Sequence, residues 1–331
     1  MSGLFQNVLE WIFSWVGNYG WAVVIFTLLI RMLTLPLDIK SKKSMRAMQK
    51  VQPKVLAIQK KYANDRDKMN LKLNELYRKE HVSPMAGCLP MLISLPILWF
   101  MFGAMRNMAN EHTIQMILSI KETGEVPALQ SWLWIKNVFQ PDSFMAGILP
   151  KVGDALNTIA AVKGSSILTE ANISAAREFL ASAEYAAIAA QHGASSFIQI
   201  PLNLIFVQPT LTLPRSFSAL FQYANGLFIL PVMAAVSQFL MTKAMNGKQS
   251  KPDTSDMSQE QQAAANAMNN GFMKWFFPLF SLWICAGYNA AFAIYWMAAN
   301  VIQIAQQLVV NWYFERKDRQ AAMEADSNEI K

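Results

Sequence analysis

The sequence predicts an all-α polytopic membrane protein, a five-helix transmembrane bundle with a cytoplasmic helical hairpin. Three observations predict it. Hydrophobic residues make up 53% of the 331 positions and charged ones only 15%, with 20 Met, 20 Phe and 10 Trp, a balance that is rare in soluble chains. The apolar residues gather into runs near the length of about 20 residues that a helix needs to cross a hydrocarbon core roughly 30 Å thick. The charges collect between those runs with a strong bias of sign.

Residues 1–18 read as an external interfacial helix, because Leu4 to Val16 pair apolar side chains with few charges. The same residues also fit the mere beginning of the first span. No Lys or Arg precedes Arg31 and no small-residue cleavage site follows a short apolar core, so no cleavable signal peptide is expected. The first span is 19–37, interrupted only by Arg31. The hairpin follows at 38–84. The second span, 85–105, contains Pro90 and Pro96, and leads to an external region at 106–219. A third span at 220–242, a loop at 243–271, and two closely joined spans at 272–287 and 290–312 complete the bundle, with a tail at 313–331. Phe197 to Leu213, apolar but broken by Pro201 and Pro209, reads as an interfacial or packed external segment; a further crossing stays open.

Charge sets the orientation. Between Leu37 and Pro84 stand thirteen basic residues against five acidic ones, net +8, whereas Arg106 to Ala219 is about −1. Basic loops stay inside. The hairpin, the 243–271 loop and the C-terminus are therefore cytoplasmic, and the N-terminus and the 106–219 region are outside. Cys88 and Cys285 fall on opposite sides of the bilayer, so no disulfide is expected. Three histidines make no metal-ligand cluster. No catalytic constellation is visible, and neither an enzyme activity nor a cofactor is expected.

In the hairpin, Met45, Met48, Val51, Val55, Ile58 and Tyr62 recur at helical spacing, as do Met69, Leu73, Leu76 and Tyr77. Asn64 and Asp65 supply the turn and an N-cap between them. Its charge fits contact with anionic lipid headgroups. It also fits docking of ribosomal RNA, a targeting factor or a substrate.

Arg31 is the most informative residue. An arginine inside the bilayer costs at least about 2.5 to 3.5 kcal/mol on insertion scales and usually faces a wet cavity or a partner. Its distance to Leu37 places it roughly 9 Å above the cytoplasmic boundary. A snorkelling side chain is the simpler reading. Against it stands a polar stripe: Thr27 on the Arg31 face, then Trp296, Asn300, Gln303 and Gln307 in the last span, with Gln238 in the third and Ser94 in the second. Together they predict a hydrophilic groove, although hydrogen bonds between helices would also account for the Asn and Gln residues. No acidic residue lies within the spans, so the charge is placed to attract a passing carboxylate.

These residues resemble the YidC, Oxa and Alb membrane insertases, in their compact bacterial form. Asn18-Tyr19-Gly20-Trp21 through Thr27, Arg31 and Pro36-Leu37 is similar to the family's first core helix, and Val51-Gln52-Pro53-Lys54 to the start of its hairpin. Leu76-Tyr77, Pro84 to Pro90 and Leu95-Pro96-Ile97 resemble the hairpin's end and the second helix. Tyr295-Trp296, Asn300 and Gln306-Gln307 look like the last helix. The resemblance implies a groove open to cytoplasm and lipid, in which Arg31 receives a substrate's polar tail and Thr27 and Trp296 flank its path. It implies insertion and folding of nascent membrane proteins in the bacterial cytoplasmic membrane without nucleotide hydrolysis. Membrane lipids are implied partners, with the ribosome, targeting factors and the Sec translocon as further candidates, and no DNA. A channel or transporter using the same polar cavity, or a passive scaffold, would share many of these features.

The sequence departs from that family in three ways. It shows neither a large external domain behind an extra N-terminal span nor a lipidation cysteine near the start. Its tail from Tyr313 is −1 overall, which speaks against a basic ribosome-binding tail. Trp132-Leu133-Trp134-Ile135 to Ile148-Leu149-Pro150 is similar to a segment that leads straight into the third span, yet about seventy residues, roughly 151–219, intervene before Ile229-Leu230-Pro231. One helix is expected in this insert, from Glu170 to Gln191.

Overall fold

The computed structural model describes residues 2–82, 89–151, 156, 159–201, 210–246 and 271–329. The chain is mostly helical. In order come α1 (Ser2–Val16), α2 (Tyr19–Lys61), α3 (Arg66–Lys79), α4 (Leu89–Thr123), α5 (Glu170–Leu180) and α6 (Ala183–Gln191). Two strands follow, β1 (Phe197–Pro201) and β2 (Thr210–Pro214), then α7 (Phe217–Tyr223), α8 (Ile229–Asn246), α9 (Gly271–Gly287) and α10 (Ala290–Glu329). Tyr19–Met48 and Ala290–Gln320 are long and apolar enough to cross a membrane, and Ile229–Ala244 and Trp275–Gly287 are shorter apolar helices. Two compact units divide the chain: Met1–Leu28, Trp99–Val236 and Leu279–Ala298 form one, and Leu29–Leu98, Ser237–Pro278 and Ala299–Lys331 the other.

In the first unit α1 is amphipathic. Leu9 and Ile12 are buried while Trp11 and Trp15, one turn apart, stand exposed, and Gly17 at φ +68° ends the helix. Behind it, Glu10, Tyr19 and His112 form a polar chain. Tyr19 Oη donates to Glu10 Oε2 at 2.8 Å, which leaves its oxygen to accept from His112 Nε2 at 3.0 Å. Burial pushes His112 down to about 4 and raises Glu10. Gly20 is required by close approach, since a Cβ there would lie 2.2 Å from the Trp132 ring.

α4 runs eighteen residues beyond the expected end of the second span at 105. The extension has a purpose: Ile114, Ile117 and Ile120 are fully buried with Leu168, Ile173, Ala176, Phe179, Leu180 and Tyr185 of the insert. The insert thus has its own core, built on an extended α4. Its ends meet, as Asn225 N donates to Ala146 O at 2.8 Å and Gly147 pairs with Ala224. The single helix expected from Glu170 to Gln191 is instead two, because Ser182 turns its hydroxyl to the Tyr185 N–H and caps a new helix.

Two further segments take a form of their own. Phe197 to Leu213, expected as an interfacial or packed external segment, forms an antiparallel ribbon at its described ends, β1 with β2. Its Phe-Ile-Gln-Ile and Thr-Leu-Thr-Leu sequences alternate with the strand period. The third apolar run does not form one helix from 220; α7 stops at Tyr223 and α8 begins at Ile229. Asp142 imposes the break. Its carboxylate is fully buried, accepts from the backbone N–H groups of Leu227, Phe228 and Leu230 at 2.9, 3.2 and 2.6 Å, and takes Trp134 Nε1 at 3.3 Å. It serves as the cap for α8 from eighty-five residues away in sequence, holding Phe228 at φ +64°.

In the second unit α2 continues unbroken from the apolar stretch into the hairpin. Asp65 accepts from Lys68 N at 3.0 Å and caps α3, Val51 and Val55 are buried, and Lys54 pairs with Glu80. α10 likewise continues past 312. There Arg46 of α2 pairs with Asp318 at 3.1 Å and lies over Phe314 at 4.9 Å.

Candidate functional site: polar side chains on apolar helices

The residues expected to line a groove divide between the units. Thr27 and Trp296 belong to the first, and Arg31, Ser94, Gln238, Asn300, Gln303 and Gln307 to the second. Each group is described by itself.

Asn300 organises the second group. It is buried within Ala298-Ala299-Asn300, where small side chains let helices approach closely. Its Nδ2 donates to Ser237 Oγ and to Gln238 Oε1, both at 3.1 Å. α8 and α10 are thereby joined by polar contacts. Arg31 is half-buried, and its carbonyl accepts from Gln306 Nε2 at 3.0 Å and Thr34 Oγ1 at 3.2 Å. Gln303 and Gln307 are half-buried too, and Lys42 Nζ donates to the Gln307 carbonyl at 3.5 Å. The side chain of Ser94 lies outside the described residues.

Asp38 changes the electrostatic reading. The sequence places no acid within the spans, but α2 does not end at Leu37. Asp38 comes seven residues after Arg31, close to two full turns, so both occupy one side of the helix. Asp38 Oδ2 is buried and, like Gln306 Oε1, has no hydrogen-bond partner among the described residues. A carboxyl group thus stands two turns from Arg31 on the same side of α2, one residue past the expected end of the first span.

In the first unit Thr27 is buried, and its hydroxyl donates to the Val23 carbonyl at 2.6 Å. That satisfies the hydroxyl within its own helix. Trp296 is half-buried with its ring 5.6 Å from Phe292, and its Nε1 is buried without a partner among the described residues.

Ser237 and Asp38 escaped the sequence reading, and Gln306 entered it only as part of the last-helix motif, not as a groove residue. Gln306 lies one turn beyond Gln303, Ser237 adjoins Gln238, and Asp38 repeats the Arg31 position two turns on; helical spacing was the available signal. Among the described residues no cluster of His, Cys, Asp or Glu can hold a metal. What the arrangement offers is recognition: hydrogen-bond donors and acceptors and a charge on otherwise apolar helices.

Fold and site define a helical membrane protein with polar groups inside its apolar helices. The chain matches the 60Kd inner membrane protein family over residues 11–317, and it belongs to that family. It is similar to a membrane protein insertase YidC of Fusobacterium nucleatum, 40% identical over 144 residues, which cover 44% of this chain and 61% of that protein. The YidC insertase of Pelobacter propionicus is 36% identical over 141 residues, 43% of this chain and 23% of the relative. That of Geotalea daltonii is 42% identical over 97 residues, 29% and 18% respectively. The matched stretches thus span less than two thirds of these relatives' length.

Proposed function

We propose that the chain is a membrane protein insertase, which moves a polar tail of a nascent membrane protein into the inner leaflet and releases its apolar segment to lipid. The observation that carries this reading is the polar set on α2, α8 and α10: Arg31 and Asp38 two turns apart on α2, Gln306 on the Arg31 carbonyl, and Asn300 on Ser237 and Gln238. Polar groups wet from the cytoplasm shorten the hydrocarbon barrier that a tail must cross. An incoming carboxylate is attracted by the Arg31 charge. Transfer of the substrate helix into lipid drives the process at about 0.8 kcal/mol per buried CH₂, so no nucleotide is needed.

The proposed topology has five crossings, in α2, α4, α8, α9 and α10. The N-terminus lies outside, and the hairpin and the C-terminus lie in the cytoplasm of a bacterial cell. Net +8 between Leu37 and Pro84 supports this orientation. Thr27 and Trp296 are proposed positions for crosslinking to a passing segment. The test is insertion into liposomes of a single-span substrate with an acidic tail and of the same substrate with its tail neutralised. Arg31→Lys retains much activity, and Arg31→Ala loses most of it for the acidic tail. Equal insertion of both substrates by Arg31→Ala and by the parent protein sinks the charge mechanism. A snorkelling arginine predicts that the Ala variant is tolerated.

A further inference from the structure

The insert ends in the β1–β2 ribbon, and strand alternation gives that ribbon two unlike faces. Phe197 pairs with Pro214, Gln199 with Thr212 and Pro201 with Thr210; Ile198 pairs with Leu213 and Ile200 with Leu211. Directly opposed residues share a face. One face therefore takes 197, 199, 201, 210, 212 and 214, a mixture of Phe and Pro with Gln and Thr, and the other takes 198, 200, 211 and 213, which the sequence fills with Ile, Ile, Leu and Leu. Phe197 is buried in the unit, but Ile198 is 43% exposed and Ile200 40%. A two-stranded ribbon is marginal in water unless its apolar side is covered.

α7 continues the pattern. Phe217 and Phe221, one turn apart and in edge contact at 4.9 Å, are 77% and 54% exposed, while Ala219 between them is buried. α7 lies against β2, and only five residues separate it from α8, whose Val232, Met233 and Val236 are exposed in turn. The exposed apolar surface is thus continuous along the chain with that of a proposed span. Its charge is one-sided. No Asp or Glu occurs between Glu184 and Asp253, Arg215 follows the ribbon directly and is exposed, and Lys151 Nζ lies 5.6 Å from the Phe197 ring.

We infer that the aliphatic face of the ribbon and the Phe217–Phe221 edge of α7 rest on the outer leaflet of an anionic bilayer, as an interfacial anchor beside the entry of α8. The chemistry is that of interfacial segments, apolar side chains buried at the headgroup boundary with cations at the phosphates. A second copy of the chain or a soluble protein partner would not require the run of sixty-eight residues free of acid that surrounds this surface. The inference rests on α8 being a membrane span.

The test uses the full chain with Cys88→Ser and Cys285→Ala, carrying one environment-sensitive fluorophore at Ile198→Cys, Ile200→Cys, Gln199→Cys or Val236→Cys, in vesicles containing phosphatidylglycerol. Nitroxides placed shallow or deep in the lipid, and aqueous iodide, are the quenchers. Shallow lipid nitroxide should quench positions 198 and 200 several-fold more than 199, iodide should show the reverse order, and replacing the anionic lipid with phosphatidylcholine should weaken the lipid quenching. Iodide quenching of all three ribbon positions alike overturns the inference. So does protection of 198 and 200 from both reagents, which means that protein covers them, and so does quenching of 198 and 199 alike by the deep nitroxide, which means that the segment crosses. Position 236 separates the two readings: deep quenching there upholds the span whatever the ribbon does, and its failure removes the span itself.

Discussion

Asp142 and Asp38 are both aspartates with buried carboxylate oxygens, one in each unit, and they are treated in opposite ways. Asp142 accepts from three backbone N–H groups and the Trp134 indole. Asp38 has an oxygen with no hydrogen-bond partner among the described residues. The contrast extends around them. The Asn225 side chain accepts from Asn137 N and donates to Asn137 O, whereas Gln306 Oε1 is left without a partner among the described residues. Buried polar groups in proteins are normally satisfied, and an orphan calls for an explanation. The network around Asp142 fixes structure. The one around Arg31 and Asp38 keeps spare capacity, as the proposed handling of passing polar segments requires.

Breaking the Asp142 network should produce the largest loss. Asp142→Ala removes four acceptor contacts and should destabilise the protein by about 4 kcal/mol, seen as reduced thermal stability of the purified protein, with Asp142→Asn intermediate. A parent-like Ala variant would mean that the break before α8 is set elsewhere.

His112 comes next. Its folded value of about 4 lies below the unfolded value near 6.5, so the unfolded chain binds more protons between the two. Stability present above pH 6.5 falls as the pH drops to 4, by up to about 3 kcal/mol. The raised Glu10 acts with the opposite sign, its contribution being present at low pH and lost as pH rises through its folded value. Unfolding of His112→Gln followed from pH 7 to 4 should therefore lose most of the acid sensitivity; an unchanged slope would assign it to other groups.

Asn300→Leu sharpens the comparison from the other side. Loss of its bonds to Ser237 and Gln238 should cost about 1 kcal/mol of stability, yet insertion should fall several-fold. Stability and insertion falling only in proportion would make Asn300 structural. The smallest effect belongs to the exposed Lys54–Glu80 pair. Lys54→Ala should change stability by about 0.5 kcal/mol or less, and a larger loss would show that the hairpin depends on that tie.

Much of this was legible because it is local. The Asp65 cap and the apolar stretches of α2 and α10 follow from spacing along one helix. What was hidden depends on partners remote in sequence. The length of α4 is set by insert residues Leu168 to Tyr185, which cover Ile114, Ile117 and Ile120. The start of α8 is set by Asp142. At the site, Arg31, Gln238 and Asn300 were found as polar residues in apolar runs, but their pairings depend on helix rotation. Asp38 was passed over because it falls one residue outside the expected first span, among the charges assigned to the hairpin.

The meeting of the insert's two ends has a bearing on how such a chain can change. With Asn225 bonded to Ala146, and Gly147 paired with Ala224, everything between them is a graft whose stock is barely a peptide wide. A linker of a few residues would close the gap and leave Asp142 with its donors. It would not leave α4 unharmed, because the graft also covers three isoleucines on that helix. Lineages that gain or shed this segment must therefore shorten or repaint the outer turns of α4 in the same step, and a swap of the insert between relatives should succeed only when residues 106–123 travel with it.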